Sequence, residues 1–393
     1  MRSETELYSV EAQQIWQKAQ HSVVLGGRFQ TATFDVRHSG FELRDDAPTI
    51  LSDPFTGETI TPVLPEVSPD MERWSIYLYD SWRPVDELTL QGGIVYEHLR
   101  YPENVRSIPM SDAEATIERF LPKAGFVWTP DERTAFRGAY TRSLGGASLE
   151  QSIRIEPTQV AGFNQAFRSI VPETLVGGNA GARFETYHLS LERRFGQATY
   201  ASIGSELLYS EIPRTRGAVI YDGDSFPPVV SVLSELHDEV DYRERSFSAT
   251  LDQLIGARTI LGASYRLTDA RYRREFEEIA TPRDDQESLL HRLDLHAIYN
   301  DPSGFFGHIQ ALWYLQDNDN NSIHFAGVPP AEIPGEEFWQ LNVFAGYRFW
   351  QRKAQITVGL LNLTDQDYKL NPIVLYNELP RSRTFISRLE LSF

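Results

Sequence analysis

Apolar and polar side chains alternate one by one over long stretches of this chain. In FWQLNVFAGYRFW (338–350), Trp339, Leu341, Val343, Ala345, Tyr347 and Phe349 fall on one side. Phe338, Gln340, Asn342, Phe344, Gly346, Arg348 and Trp350 fall on the other. A period of two marks a β-strand with one oily and one wet face. The pattern recurs at 187–195, where Tyr187, Leu189, Leu191 and Phe195 oppose His188, Ser190, Glu192 and Arg194. At 289–299, Leu289, Leu293, Leu295, Ala297 and Tyr299 oppose Arg292, Asp294 and His296. At 305–316, Phe305, Ile309, Ala311, Trp313 and Leu315 oppose His308, Gln310 and Gln316. The closing RTFISRLELSF sets Phe385, Leu389, Leu391 and Phe393 on one face. Read throughout, the pattern predicts fifteen strands: 6–16, 21–37, 71–82, 87–102, 118–128, 132–143, 182–195, 198–211, 240–253, 258–274, 288–299, 304–316, 337–349, 353–364 and 381–393.

The connections sort by length. Short turns at 17–20, 83–86, 129–131, 196–197, 254–257, 300–303 and 350–352 alternate with long segments at 38–70, 103–117, 144–181, 212–239, 275–287, 317–336 and 365–380. In an up-and-down sheet this places every tight turn at one end and every long loop at the other, as in outer-membrane barrels. Strands running toward the short-turn end finish on an aromatic: Trp16, Trp82, Trp128, Phe195, Tyr299, Phe349 and Phe393. The strand ending near Leu254 is the exception. Rings so placed form a girdle at a lipid–water boundary. The expected fold is all-β, a transmembrane antiparallel up-and-down β-barrel with about fourteen to sixteen strands in this chain. One outer-membrane barrel domain then covers 1–393.

Composition sharpens this picture. A mean hydropathy of -0.37, with no long uninterrupted apolar run, excludes a helical membrane protein but not a barrel, whose spanning segments alternate. The net charge of -18 argues against a nucleic-acid partner, which needs a basic stripe. The absence of cysteine excludes disulfides, thiolate metal sites and cysteine nucleophiles. MRSETELYSV has no apolar core of the kind a signal peptide carries, so the barrel reading expects a fragment or a processed chain.

Several motifs resemble those of TonB-dependent outer-membrane receptors. In GLLNLTDQDY (359–368), Asn362, Leu363, Asp365 and Tyr368 match an Asn-Leu-Phe-Asp-x-x-Tyr pattern, with Thr364 in place of Phe. LPRSRTFISRLELSF (379–393) resembles the family's closing strand, and FLPKAGFVWTPDERTAFRGAYTRSL (120–144) its mid-barrel hairpin. HSVVLGGRFQ (21–30) fits another barrel strand. The resemblance implies a 22-stranded barrel around a preceding plug, of which this chain is the C-terminal portion. A gapped or forced-shut smaller barrel is the alternative. It also implies outer-membrane lipid as neighbour, recognition by the barrel-assembly machinery through Phe393, and a TonB complex as partner if a plug lies upstream. The implied function is uptake of a scarce solute: a metal chelate, a vitamin or an oligosaccharide. GGASLEQSIRIEPTQVAGFNQAFRSIVPE (145–173) departs from the family, with only Glu156-Pro157 near its Asn-Pro-x-Leu-x-Pro-Glu segment. That departure keeps open a non-transport barrel acting as scaffold or export conduit for an N-terminal module.

Enzyme signatures are missing: no GxSxG, HExxH or Walker-type loop occurs. No catalytic, cofactor or metal residues are expected, and the substrate-binding residues stay unassigned. His291 and His296 sit on opposite faces of one predicted strand, so they form no joint site. Glu97, Glu192, Arg194, Glu206, Arg266, Arg292, Asp294 and Arg348 are predicted to point inward, as a solute path or as an ion-pair network of the polar wall. DNDNN (317–321) lacks the glycine and distal Glu of a calcium loop and reads as a solvated loop. Phe163, Tyr221, Phe226 and Phe325 lie in long segments where a ligand could be met.

Overall fold

The computed structural model describes the chain except for residues 1, 38–50, 53–58, 61–65, 108–109, 146–153, 166–179, 223–228, 278–283, 322–334, 352, 375–376 and 393. Fifteen strands follow one another in a single antiparallel sheet. They are β1 (Arg2–Lys18), β2 (His21–Arg37), β6 (Asp70–Val85), β7 (Leu88–Pro102), β8 (Glu114–Asp131), β9 (Thr134–Leu144), β12 (Arg183–Phe195), β13 (Thr199–Asp222), β14 (Val229–Ile255), β15 (Thr259–Phe276), β16 (Asp284–Asn300), β17 (Phe305–Asn321), β18 (Glu336–Phe349), β19 (Ala354–Leu361) and β20 (Thr384–Leu391). Two-residue strands fill in the remaining numbers: β3 (Leu51–Ser52) pairs β4 (Thr59–Ile60), β5 (Glu66–Val67) pairs β2, and β10 (Gln159–Val160) pairs β11 (Phe163–Asn164).

All fifteen predicted strands are present, in sequence order and with the predicted facing. Outward, Leu189, Phe305, Ile309, Trp339, Tyr347, Phe385 and Leu389 are exposed. Inward, Phe184, Thr186, Tyr314, Gln316, Phe338 and Gln340 are buried. The architecture is an all-β, up-and-down barrel wall in which each of these strands pairs antiparallel with its neighbours in sequence order. Trp16, Trp82, Trp128, Phe195 and Tyr299 stand exposed along its short-turn end, with Phe349 half-buried beside them. The side chain expected to complete that row, Phe393, lies outside the described residues.

Two expectations need correction. The segment 212–239, read as a long loop, is mostly strand: β13 runs on to Asp222 and β14 starts at Val229, with a register shift at Ile220/Tyr221. DNDNN is likewise the end of β17, not a loop. In both places the ladder continues past the point where the outward face stops being oily, so the alternation that signals a strand disappears while the hydrogen bonds persist.

The wall also has a break. β8 pairs with β7 along its whole length from Glu114 to Trp128, but with β9 only from Lys123 onward. Beyond Thr141, β9 pairs with β12 alone. Pro122 stands where the β8–β9 ladder stops, a residue with no N–H to offer a neighbour. The carbonyls left over on β9 are met by buried cations. Lys123 Nζ donates to the Arg142 carbonyl at 2.5 Å, and Arg73 Nη2 to the Leu144 carbonyl at 3.1 Å.

Candidate functional site

Two connecting segments fold back onto the inward face and shape the lumen. The first is 154–165, from the long β9–β12 connection. Its hairpin β10–β11 turns on Ala161 and Gly162, both at positive φ. Gly125 of β8 gives the hairpin room, since a Cβ there would stand 2.7 Å from Val160. The anchor is ionic. Arg154 donates to Glu156 at 2.6 Å and lies 3.8 Å from Glu97. Glu97 in turn accepts from Arg73 at 2.5 Å and from the Ser75 hydroxyl at 3.0 Å. The Tyr79 hydroxyl donates to Glu156 at 2.7 Å. From β1, Glu11 accepts the backbone N–H groups of Ile155 and Glu156, each at 2.9 Å, and the Tyr77 hydroxyl at 3.0 Å. Gln91 of β7 accepts the Ala161 amide at 2.5 Å. The segment is therefore a strap across the inner wall from β1 to β12. Its buried charges are tolerable only because each is met by an opposite one or by a donor.

The second strap is 362–374, between β19 and β20. Asn362, at positive φ, donates to the Gln366 and Pro380 carbonyls, each at 2.9 Å, and accepts the Gln366 amide at 2.8 Å. Asp365, also at positive φ, accepts the Arg383 amide at 2.7 Å. Tyr368 stacks on Phe338 at 5.1 Å between centroids, and Phe338 on Tyr314 at 5.2 Å. The Tyr242 hydroxyl donates to the Ile373 carbonyl at 2.9 Å. Tyr368, Leu370, Ile373 and Val374 thereby join one apolar cluster with inward residues of β12 to β18. The Asn-Leu-x-Asp-x-x-Tyr residues thus turn this connection inward, which is a structural task and not a chemical one.

Beside the first strap lies a polar cavity of about 200 Å³, lined among others by Phe163, His188, Ser190, Glu206, Ser246 and Arg266. Phe163 stacks on the His188 ring, centroids 4.7 Å apart. Arg266 sits 3.7 Å from Glu206 and 3.5 Å from Glu244. His188 Nε2 and Ser190 Oγ are buried without a hydrogen-bond partner among the described residues. Such a lining of hydroxyls, carboxylates and one guanidinium can hydrate or pass a small polar solute. His188 Nε2 and Ser190 Oγ are not hydrogen-bonded to each other.

The eight side chains predicted to point inward do not converge. Glu97 belongs to the first strap's anchor. Glu206 and Arg266 line the cavity, and Arg292 faces Arg266 across the β15–β16 ladder. Asp294 accepts from Gln310 at 2.7 Å. Glu192, 3.3 Å from Arg137, and Arg194 lie toward the short-turn end. Arg348 donates to Asn300 at 2.8 Å and Gln355 at 2.9 Å. His291 meets Tyr265 on the outward face, while His296 faces Asp252 at 3.2 Å on the inward face. Of the loop aromatics, Phe163 lines the cavity. Phe226 and Phe325 lie outside the described residues, as does the side chain of Tyr221. Sequence reasoning missed Arg73, Lys123, Arg154 and Glu11, because an inward charge on a polar wall looks the same whether or not a strap docks on it.

Residues 5–200, about half of the chain, match the family described as TonB dependent receptor-like, beta-barrel. A comparison with curated proteins gives no match. Among solved structures, "Copper transporter OprC" is 14% identical with a TM-score of 0.58, and the match covers 100% of this chain and 57% of that one. The unliganded ferric citrate transporter FecA is 14% identical, TM-score 0.57, covering 100% and 55%. The siderophore receptor PirA from Acinetobacter baumannii is 11% identical, TM-score 0.55, covering 100% and 55%. At these identities the likeness is one of fold, and the chain spans little more than half the length of each. By its matched residues and its wall, the chain belongs to the TonB-dependent receptor β-barrel family.

Proposed function

We infer that this chain is the barrel portion of an outer-membrane receptor that admits a scarce solute when a plug is displaced by the TonB complex. The observation that carries this reading is the family match on a wall whose outward face is oily and whose inward face mixes polar groups with the apolar clusters on which the straps pack. The similar solved structures, named for copper, ferric citrate and siderophore handling, favour a metal chelate over a vitamin or an oligosaccharide. Fifteen strands fit the C-terminal portion of a larger barrel, because an odd antiparallel meander brings its end strands together parallel. The partners on this reading are outer-membrane lipid, the barrel-assembly machinery acting through Phe393, and TonB acting through the plug. The test is accumulation of radiolabelled ferric citrate, a ferric siderophore or a copper chelate by cells that produce the full protein. Uptake that needs both the protein and TonB supports the reading; no TonB-dependent uptake of any probe refutes it.

The ionically latched 154–165 strap favours a second reading, a barrel serving as scaffold or export conduit for an N-terminal module. On that reading the protein in planar bilayers conducts ions without any energy source, and Glu11→Ala raises the conductance by releasing the strap.

A further inference from the structure

The polar cavity beside Phe163 is a hollow in the inward face of β12 to β14. Two rows of side chains cross it in register: His188, Glu206 and Ser246 in one, Ser190, Gly204 and Ser248 in the next. Gly204 is the centre. A Cβ built there would stand 3.0 Å from Ser248 Oγ. The missing side chain therefore makes the hollow, whose volume is about 200 Å³. Leu189 and Ile203 also border it, but their side chains project outward, where they are exposed. That leaves Phe163 of the first strap as the apolar border on the lumen side.

The polar groups around Gly204 are short of partners. The His188 side chain is 7% exposed, and its Nε2, like Ser190 Oγ, is buried with no hydrogen bond among the described residues. The nearest partners of Glu206 are Arg266 at 3.7 Å and His188 Nδ1 at 3.9 Å, both beyond hydrogen-bond reach. Arg266 is shared with Glu244 at 3.5 Å and donates to Ser246 at 3.0 Å. Glu192, the other carboxylate on the lining, lies 3.3 Å from Arg137. With its Nδ1 proton facing Glu206, His188 presents Nε2 as an acceptor. The hollow thus offers a carboxylate and an imidazole nitrogen that accept, and serine hydroxyls that accept and donate. Buried polar groups in this state are met by water or by a ligand.

We propose that the hollow at Gly204 binds one neutral polyhydroxylated ring, of the size of a monosaccharide. Two adjacent ring hydroxyls donate to the carboxylate of Glu206 and a third to His188 Nε2, while Ser190 and Ser248 accept or donate in turn. An anion is disfavoured, because Glu192 and Glu206 face a single lining guanidinium, Arg266, that Glu244 already shares. An ammonium supplies donors alone and leaves the serine protons without an acceptor. The volume equals about six or seven waters at ~30 Å³ each, room for one ring and not for a chain of them. Phe163 gives the C–H side of the ring an apolar neighbour. The inference rests on the reading of the inward face as a solute path, but concerns binding by the wall itself, whichever chelate the whole receptor admits.

The test uses the full protein in neutral detergent, with methyl glucoside as probe and its fully O-methylated form and ethanolammonium as comparisons. Saturation-transfer NMR reads contact with the protein, its titration reads affinity, and empty micelles are the blank. Methyl glucoside receives saturation only when the protein is present. Gly204→Val fills the hollow at a position whose φ is not positive, and abolishes the transfer. Glu206→Gln weakens affinity by about tenfold, the loss expected for charge-assisted hydrogen bonds. It leaves the unfolding midpoint unchanged, which separates lost binding from lost fold. Ser264→Ala, inward on β15 but off the lining, leaves affinity unchanged. Undiminished binding by either Gly204→Val or Glu206→Gln overturns the proposal. So do equal saturation of the O-methylated form, tighter binding of ethanolammonium, or no saturation of the glucoside at all. TonB-dependent uptake of a chelate by cells is read separately, so failure of this site and failure of the uptake reading are told apart.

Discussion

Replacing Arg73 by Met probes the anchor of the first strap directly. The Arg73 and Glu97 side chains are 0% and 2% exposed, so neither charge has water to fall back on. Removing one partner of a buried ion pair costs about 3–5 kcal/mol, mostly because the other charge is left stranded. Here Glu97 keeps the Ser75 hydroxyl and, at 3.8 Å, Arg154. The lower end of that range, ~3 kcal/mol, therefore applies. Arg73 also caps the Leu144 carbonyl at the wall break, and orphaning that group adds about 1–3 kcal/mol. Arg73→Met should thus destabilise by ~4–6 kcal/mol. Glu97→Leu alone removes the carboxylate that Arg73 Nε donates to and costs ~3–5 kcal/mol. In the double variant no stranded charge remains, since Arg154 keeps Glu156, and the loss should shrink to the ~1–3 kcal/mol of the Leu144 carbonyl. Reversible urea unfolding in detergent, followed by tryptophan fluorescence, measures all three. A double variant whose loss equals the sum of the singles within ~0.5 kcal/mol would refute the claim that these charges are held by each other.

Other consequences follow from the same wall. Leu189→Arg, on the outward face near mid-height, should cost about 2–4 kcal/mol in bilayer-based unfolding, whereas inward Ser202→Arg, opposite Glu192 and Thr250, should cost under ~1 kcal/mol; similar losses would mean that the outward face does not meet hydrocarbon. Gly304, at φ 103°, brings a built Cβ within 2.3 Å of the Arg348 carbonyl, so Gly304→Ala should destabilise the β16–β17 turn by at least ~1 kcal/mol, read from the unfolding midpoint. In that turn the Ser303 amide, 3.0 Å from Asp301, and the Tyr299 hydroxyl hold the Asp301 carboxyl below its usual value. A carboxyl lowered on folding stabilises above its unfolded pKa of ~3.9 and loses that contribution as pH falls through the folded value. Wild type should therefore lose stability relative to Asp301→Asn in acid below pH ~4 and keep a constant margin above it; a margin that is flat throughout would show the turn bonds to be idle.

The wall was legible in the sequence because one physical rule, apolar against lipid and polar against the lumen, writes itself into every second residue. The rule fails where its cause is absent. β13 and β14 continue to Asp222 and from Val229, above the level where an oily outward face is needed, and ELHDEVDYRE consequently looked like a loop while pairing as strand. The two straps left even less trace, since docking on the inner wall requires single complementary partners and not a period. Glu11 serves the strap from 144 residues away in sequence, and nothing local to either end announces the contact. The motif at Asn362, Asp365 and Tyr368 was visible as a resemblance, but its physical role, an inward fold clamped by Asn362 and stacked by Tyr368, is a matter of backbone geometry. The break at Pro122 lies between these cases. A proline in a strand signals an edge, and the structure supplies what that signal lacks: two cations, Lys123 and Arg73, placed to satisfy the carbonyls that the departing strand leaves behind. The opening beside Pro122 thus leaves neither the Arg142 nor the Leu144 carbonyl without a donor, a compensation that only the folded arrangement of β6, β8 and β9 reveals.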